Sequence, residues 1–306
     1  MNSHVTKYSA RITPLLLRWA IILFLFIPVF AHSGESVLAV LSKDAKIYND
    51  FYSALQKKLN VDVVKIAAAD VNNKTLSKHS FIITVGYSAA KKVSEYKLNA
   101  TVVYSLIYNN KQPQYKFSCV NANCYYIYIN QSVARYVKLF KRLFPQDRVL
   151  VLATTKADTI KSQQLKIEAE KIGVNYKELI VKTDENITRT FINKLSNRDV
   201  LLALPNASIY NANNAKSILL STYHKDIPII AYSKAFVKAG AIAGLYSGIE
   251  HVADQTARTV NTIMESGQQE QKEYYPDDFT IEFNSSVARS LNIDIDSINL
   301  IKRELK

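Results

Sequence analysis

Eight side chains stand where this sequence could make contact chemistry: Ser42, Tyr87, Ser88, Thr154, Asn206, Tyr210, Ser233 and Tyr246. Ser42, Thr154, Asn206 and Ser233 each follow a short apolar run of strand type, so they lie where the chain leaves a sheet. A polar residue there can reach a bound molecule or simply close a turn. Ser88 opens a helical pattern, where unpaired backbone amides and the positive end of the helix dipole suit a carboxylate or another anion; an ordinary helix cap is the alternative use. Tyr87 beside it can stack on a ligand or pack, and Tyr210 and Tyr246 are candidate aromatic walls or core residues.

The pattern does not support catalysis. Beyond residue 34 the histidines are His79, His224 and His251, none at metal spacing from another ligand and none near a Gly-x-Ser-x-Gly turn. Seven glycines in 306 residues include no phosphate loop or dinucleotide fingerprint, so no metal, no cofactor and no enzymatic activity are expected. Gly240, Gly244 and Gly248 repeat every four residues, but in a segment too short to span a bilayer, which points to close backbone packing. Cys119 and Cys124 are the only cysteines. Their spacing is too long for a two-residue redox motif and their number too small for a metal centre, and a structural disulfide across a hairpin tip is expected in an oxidising compartment.

That compartment is suggested by the N-terminus. Lys7, Arg11 and Arg18 precede the apolar run Trp19 to Phe30, and Val29-Phe30-Ala31 has small residues where a signal peptidase cuts. Residues 1–31 are therefore read as a cleaved signal peptide, with an uncleaved anchor as the alternative, and the mature chain as periplasmic. Net charge is +13, falling to +10 once those three cations leave. The remaining basic residues are mostly lysines scattered over helix surfaces, without an aromatic-interleaved arginine patch, so no nucleic-acid partner is expected.

The elements that must position these residues alternate. Ser36 to Leu41, Val61 to Ile66, Phe81 to Val85 and Thr101 to Tyr108 are predicted strands, with helices over Ala45 to Leu59 and Ala89 to Tyr96. The rhythm then breaks at a predicted hairpin, Lys116 to Cys119 with Tyr125 to Ile129, and a helix follows over Val133 to Phe144. A second series begins at Val149: strands Val149 to Leu152, Tyr176 to Val181, Asp199 to Leu204, Asp226 to Tyr232 and Ala239 to Tyr246, with helices near Ile160 to Ile172, Ile187 to Leu195 and Asn211 to Tyr223. A long helix, Ile249 to Glu265, a strand, Phe279 to Phe283, and a short helix, Ser286 to Leu291, close the chain. Two alternating series imply two doubly wound α/β lobes, with any ligand between the strand ends of both.

The order of residues in the second series goes further. A strand ending in Pro205-Asn206, a helix of small and apolar residues, Ile227-Pro228-Ile229-Ile230 running to Tyr232-Ser233, then Phe236-Val237-Lys238-Ala239-Gly240-Ala241 and Leu245-Tyr246-Ser247 together resemble the ABC-transporter substrate-binding proteins that include tryptophan- and phenylalanine-type binders. Val85-Gly86-Tyr87-Ser88-Ala89-Ala90 is similar to that family's Gly-Thr-Pro-Ala-Ala turn. Phe283-Asn284 with Val287-Ala288-Arg289-Ser290-Leu291-Asn292-Ile293 is similar to its closing Asn-x-x-x-Ala-x-x-Leu-Gly motif. The chain departs from the pattern where Tyr87-Ser88 replace Thr-Pro and where Asn206 stands at a place often acidic.

The resemblance implies an α/β fold of the type I periplasmic binding class, with two lobes joined by hinge crossovers near Ile129 to Gln131, Tyr246 to Gly248 and Tyr275 to Asp278. The lobes are expected over 35–130 plus 249–276 and over 131–248 plus 277–306. It implies a monomer that captures a small, carboxylate-bearing, amino-acid-like ligand for an inner-membrane ABC permease; a module of the same fold that signals through a membrane sensor is the alternative.

Overall fold

Val37–Leu41 is the sequence Val-Leu-Ala-Val-Leu with every residue buried, the signature of a strand covered on both faces by helices. In the computed structural model, which describes residues 36–109, 117, 119, 122–145, 147–156, 159–182, 186–270, 272–295 and 298–306, this run is β1. The expected signal peptide, residues 1–31, lies outside the described residues. Chain order then gives α1 (Lys46–Gln56), β2 (Val63–Ala67), α2 (Asn73–Leu76), β3 (Phe81–Val85), α3 (Tyr87–Ser94), β4 (Thr101–Ile107) and β5 (Asn123–Tyr128). There follow α4 (Val133–Leu143), β6 (Val149–Thr154), α5 (Thr159–Lys171), β7 (Tyr176–Ile180), α6 (Ile187–Lys194), β8 (Asp199–Ala203), α7 (Ala215–Tyr223), β9 (Ile229–Ala231), α8 (Lys234–Ala239) and β10 (Ala243–Tyr246). The last elements are α9 (Ile249–Ser266), β11 (Glu273–Tyr274), β12 (Thr280–Phe283), α10 (Ser285–Ser290) and α11 (Ile298–Leu305).

These strands form two sheets, ordered β11-β5-β4-β3-β1-β2 and β12-β10-β9-β8-β6-β7. Within each, the first five strands of the series take the same order, second-first-third-fourth-fifth, and pair in parallel. That is the doubly wound arrangement whose crevice opens beyond the carboxyl ends of the strands. The sixth strand of each sheet is supplied by the returning chain: β11 joins β5 in parallel and β12 joins β10 antiparallel. Two α/β lobes result, and the chain passes between their sheets three times, in the segments 129–132, 247–248 and 275–279.

The first two crossings each deliver an amphipathic helix to the sheet they enter, and the third leads directly into β12. On α4, Tyr136, Val137, Phe140 and Leu143 recur every three or four residues and pack with Leu150, Leu152, Val200 and Leu202 of the second sheet. On α9, Val252, Ala253, Ala257, Val260 and Ile263 pack with Val37, Ala39, Phe81 and Ile83 of the first. Gly267, at φ 81°, ends α9 in a conformation that suits glycine. At Gly244 an added Cβ would come within 2.5 Å of Val237 Cγ2, so here the glycine permits the close packing of α8 on β10.

Several local expectations are corrected. The predicted hairpin does not form: β5 pairs in parallel with β4 and β11, and Phe117 and Cys119 belong to no strand, while Lys116 and Ser118 lie outside the described residues. Alternation of aromatic and polar residues marks a strand but not the direction of its partner. Cys119 and Cys124 are joined in a disulfide, which closes the lead-in to β5 rather than a hairpin tip. Helix α7 starts at Ala215 instead of Asn211, because the Asn211 side chain accepts the amides of Asn213 and Asn214, at 3.0 and 3.2 Å, and holds a turn. Helix α8 and strand β11 occupy segments to which the sequence assigned no element, apart from Ala239, and α11 extends the chain beyond the last expected helix.

Candidate functional site

The carboxyl ends of both sheets face a cleft of about 520 Å³. From the first lobe it is lined by Tyr48 of α1, Gly86 and Tyr87 after β3, Leu106, Ile107 and Tyr108 at the end of β4, and Phe117. From the second come Lys161 of α5, Pro205, Asn206 and Tyr210 after β8, and Tyr232 after β9. The lining is thus six aromatic rings with aliphatic neighbours and, among the described residues, one charged side chain, Lys161. Such a surface favours a flat apolar body, with a few polar groups left to set its orientation.

Local structure explains how the rings reach the cleft. Gly86 has φ 88° and ψ 172°, a backbone conformation essentially confined to glycine, and serves as the N-cap of α3. The Tyr48 ring lies against it, leaving no room for a β-carbon. Ser42 completes this corner: its hydroxyl donates to the Val85 carbonyl at 2.9 Å and accepts the Ala89 amide at 3.0 Å. The hydroxyl therefore caps α3, and Ser42 is not in the cleft lining. Tyr87 and Ser88 form the first turn of α3, so Gly86 and not Ser88 is the cap. Both are exposed, and Tyr87 packs on Phe117 with ring centroids 5.8 Å apart. Phe117 in turn stacks on Tyr104 at 5.0 Å.

In β4 the register against β5 shifts between Ser105 and Ile107, and Leu106 between them has φ 56°. A bulky residue in the left-handed region is a conformational outlier, and here it falls just before Tyr108, which stands half exposed in the cleft. Burial pushes the hydroxyls of Tyr108 and Tyr232 above the usual phenol range, so both remain hydrogen-bond donors throughout the physiological range. Tyr210 is 5 % exposed, packs edge-on against Phe236, and its buried hydroxyl has no hydrogen-bond partner among the described residues.

The remaining sequence candidates are placed elsewhere or share their polarity with the scaffold. Thr154 is buried as the last residue of β6, bonded through its hydroxyl to the Thr155 carbonyl, and is not in the lining. Asn206 lines the cleft while its side chain accepts the Ser208 amide at 3.0 Å. Ser233 is the N-cap of α8, and the Tyr246 hydroxyl donates to Glu282 at 2.5 Å. Ser233 and Tyr246 line a smaller hollow next to the main cleft. Tyr48, Tyr108, Phe117, Lys161 and Tyr232 line the cleft without being among the eight candidates drawn from the sequence. Tyr108 and Tyr232 end their predicted strands but lie just beyond the observed β4 and β9, so the rule that selected Ser233 reaches them only with the observed strand ends.

Beside the cleft, the three crossings are tied together. Gln131 in the first donates to Ser247 in the second at 2.5 Å, and Ser247 donates to the Asp278 carbonyl in the third at 3.2 Å. Arg135 reaches the same place: its guanidinium donates to the Gln131 side chain, to the Pro276 carbonyl at 2.6 Å and to the Leu305 carbonyl at 3.3 Å, and lies 4.7 Å from the Phe279 ring centroid.

His251 anchors the second crossing by accepting the Gly248 amide on Nδ1 at 3.3 Å, a bond that requires the neutral ring. Burial lowers its pKa from 6.5; Lys302 lowers it further, and Asp278, Glu250 and Asp254 oppose. The unfolded chain then binds this proton more readily than the folded one. The stabilisation is complete above pH 6.5 and is lost as pH falls from there through the depressed folded value. Thermal melts between pH 8 and pH 5 should therefore show a smaller acid loss for His251→Gln, which keeps an acceptor without the titration; equal losses would exclude His251 as a contributor.

Comparison with known proteins places this geometry. The model of the family described as ABC transporter substrate binding protein matches residues 99–303. No curated protein matches the sequence. Among solved structures, a ligand-free, open substrate binding protein with adhesive properties from Clostridium difficile is similar with TM-score 0.64 and 15 % identity, over 86 % of this chain and 97 % of that one. An ABC domain in complex with L-Trp from Streptococcus pneumonia gives TM-score 0.55 and 15 % identity, over 88 % and 98 %. A periplasmic ribose ABC transporter structure from Conexibacter woesei gives 0.54 and 7 %, over 85 % and 95 %.

Proposed function

Because the chain belongs to the family of ABC transporter substrate binding proteins, we propose that it captures a small organic carboxylate with a flat, apolar body in the cleft between its lobes, and delivers it from the periplasm to a membrane transporter. The observation that carries this reading is the lining: aromatic rings from both lobes around one cation, Lys161. Rings on both sides offer dispersion contact to both faces of a planar ligand, and a lysine is a point charge for its carboxylate. The L-Trp complex of the Streptococcus neighbour supports the same ligand class more closely than the ribose-named neighbour does, since six aromatic residues dominate the surface here. Ligand contacts to both lobes would supply the differential affinity that drives closure about the crossings.

The test is a thermal-shift and calorimetry screen of the mature protein with aromatic and aliphatic carboxylates and their neutral amides. Aromatic carboxylates should raise the melting temperature and their amides should not. Lys161→Gln should weaken carboxylate binding by roughly 10- to 100-fold, the value of one charge-assisted hydrogen bond. Equal binding of acids and amides, or an unaffected Lys161→Gln variant, would overturn the assignment.

A further inference from the structure

The lysines of the first lobe are gathered in one stretch. Residues 71–100 hold five of them, Lys74, Lys78, Lys91, Lys92 and Lys97, and a single acid, Glu95. The fold places this stretch on one side of the sheet: Leu76 of α2, Ala89, Ala90 and Val93 of α3, and Leu98 share a core with Leu38, Ile82 and Val102, while α1 and α9 pack on the other face. Lys92 is held by Glu95 at 2.9 Å. Lys74, Lys78, Lys91 and Lys97 are exposed, and none of the four has an acidic partner among the described residues.

Hydrogen bonds draw these residues to one edge. Strands β4, β3 and β1 lie side by side in parallel and so begin at the same end of the sheet. Thr101, at the head of β4, donates to the Ser80 carbonyl at 2.8 Å, which makes the lead-in that carries Lys97 a neighbour of the one that carries Lys78. Lys91 lies in the last turn of α3, where a cation also complements the helix dipole. Lys78 and Lys97 stand between elements, where no local rule asks for a cation.

The chain enters the lobe at this same edge. Just before β1, the Ser36 carbonyl and hydroxyl oxygens lie 3.0 and 3.2 Å from Nδ1 of His79, the neighbour of Lys78. In the sequence only residues 31–35 separate Ser36 from the apolar run that ends at Phe30. A membrane that engages that run therefore meets this edge of the lobe first.

We infer that the amino edge of the first lobe, marked by Lys74, Lys78, Lys91 and Lys97, is a docking surface for a bilayer of anionic phospholipid. Headgroup phosphates attract lysines over about one Debye length, about 8 Å at physiological salt, and these four break no ion pair to meet them. The aromatic cleft lies beyond the carboxyl ends of the same strands, so a lobe resting on this edge presents its cleft at the opposite end of the sheet. Such docking rests on the export reading above and is independent of what the cleft binds.

The test is co-sedimentation of the mature protein, without any cleft ligand, with vesicles of phosphatidylcholine alone and of phosphatidylcholine with phosphatidylglycerol. The protein should bind the anionic vesicles only, and less as salt is raised. Lys78→Gln combined with Lys97→Gln should lower the partition coefficient at least about 10-fold, while Lys216→Gln combined with Lys238→Gln, at exposed positions of the second lobe, should match the wild type. Unchanged melting temperatures would verify that both double variants are folded. No binding to anionic vesicles, equal binding to neutral ones, a first variant that binds like the wild type, or equal losses from the two variants would overturn the docking surface, as would retention by a soluble polyanion without vesicle binding. Export itself is read separately, from recovery of the cellular protein in the periplasmic fraction.

Discussion

Replacing Gly86 with alanine is expected to cost about 3 kcal/mol of stability, from backbone strain and collision together. The backbone there, at φ 88° and ψ 172°, is open to glycine and strained for any residue with a β-carbon. The new methyl would also sit 2.6 Å from Tyr48 Cε1 and 2.8 Å from the Ser42 hydroxyl. Relief requires the Tyr48 ring to leave the cleft wall or Ser42 to give up its bonds to Val85 and Ala89, and either movement disturbs the start of α3. Urea denaturation should show the loss in midpoint. Ligand affinity measured well below that midpoint should fall as well, because Tyr48 and Tyr87 line the site. A variant with unchanged midpoint would mean that the corner relaxes without strain.

Arg135→Met should produce the second large effect, about 3 kcal/mol, because a partly buried guanidinium bonded to carbonyls is replaced by a side chain that leaves those acceptors unpaired. Pro276 and Leu305 lose their donor, Gln131 loses the group that orients it, and Phe279 keeps Lys302 but loses the nearer of its two cations. The consequence reaches beyond stability, since Gln131 is the first link of the chain that ties the crossings through Ser247 to Asp278. Urea denaturation would measure the stability, and small-angle scattering with and without a bound aromatic carboxylate would report the opening of the lobes. Arg135→Lys should recover only part of the stability, because one ammonium cannot span Gln131, Pro276 and Leu305 together. Full recovery by lysine would show that charge alone, and not the fork of donors, holds the crossings.

Both substitutions act where one element is forced to serve two purposes. Gly86 ends a strand, caps a helix and yields its β-carbon position to a ring of the cleft. Arg135 belongs to a helix of the second lobe and yet reaches carbonyls of the returning chain. The Leu106 outlier has the same character, bending the end of β4 just where Tyr108 faces the second lobe. Among the described residues, Gly86 and Leu106 are thus the two left-handed backbone positions that line the cleft.

The amino-acid sequence by itself determined the two alternating series, and with them the two parallel sheets. Buried parallel strands are short apolar runs such as Val37–Leu41 and residues 200–203, and their helices, such as α9, repeat every three or four residues. These are local signals, read within one element. The register of motifs from Val85 to Ala90 and from Asn284 to Ile293 likewise identified the family, because it lies along the chain. Tertiary structure alone decided which candidates meet. Ser42 and Thr154 satisfy every local rule for a contact residue, yet one caps α3 and the other is buried in the second lobe. Lys161 gives no local signal and becomes the cation of the cleft only when β6, two strands away from β9, brings the start of α5 alongside Pro205. The pairing of β5 with β11 and the tie from Gln131 to Ser247 depend on partners far along the chain. A periodicity records which face of an element is buried and carries no term for what it is buried against.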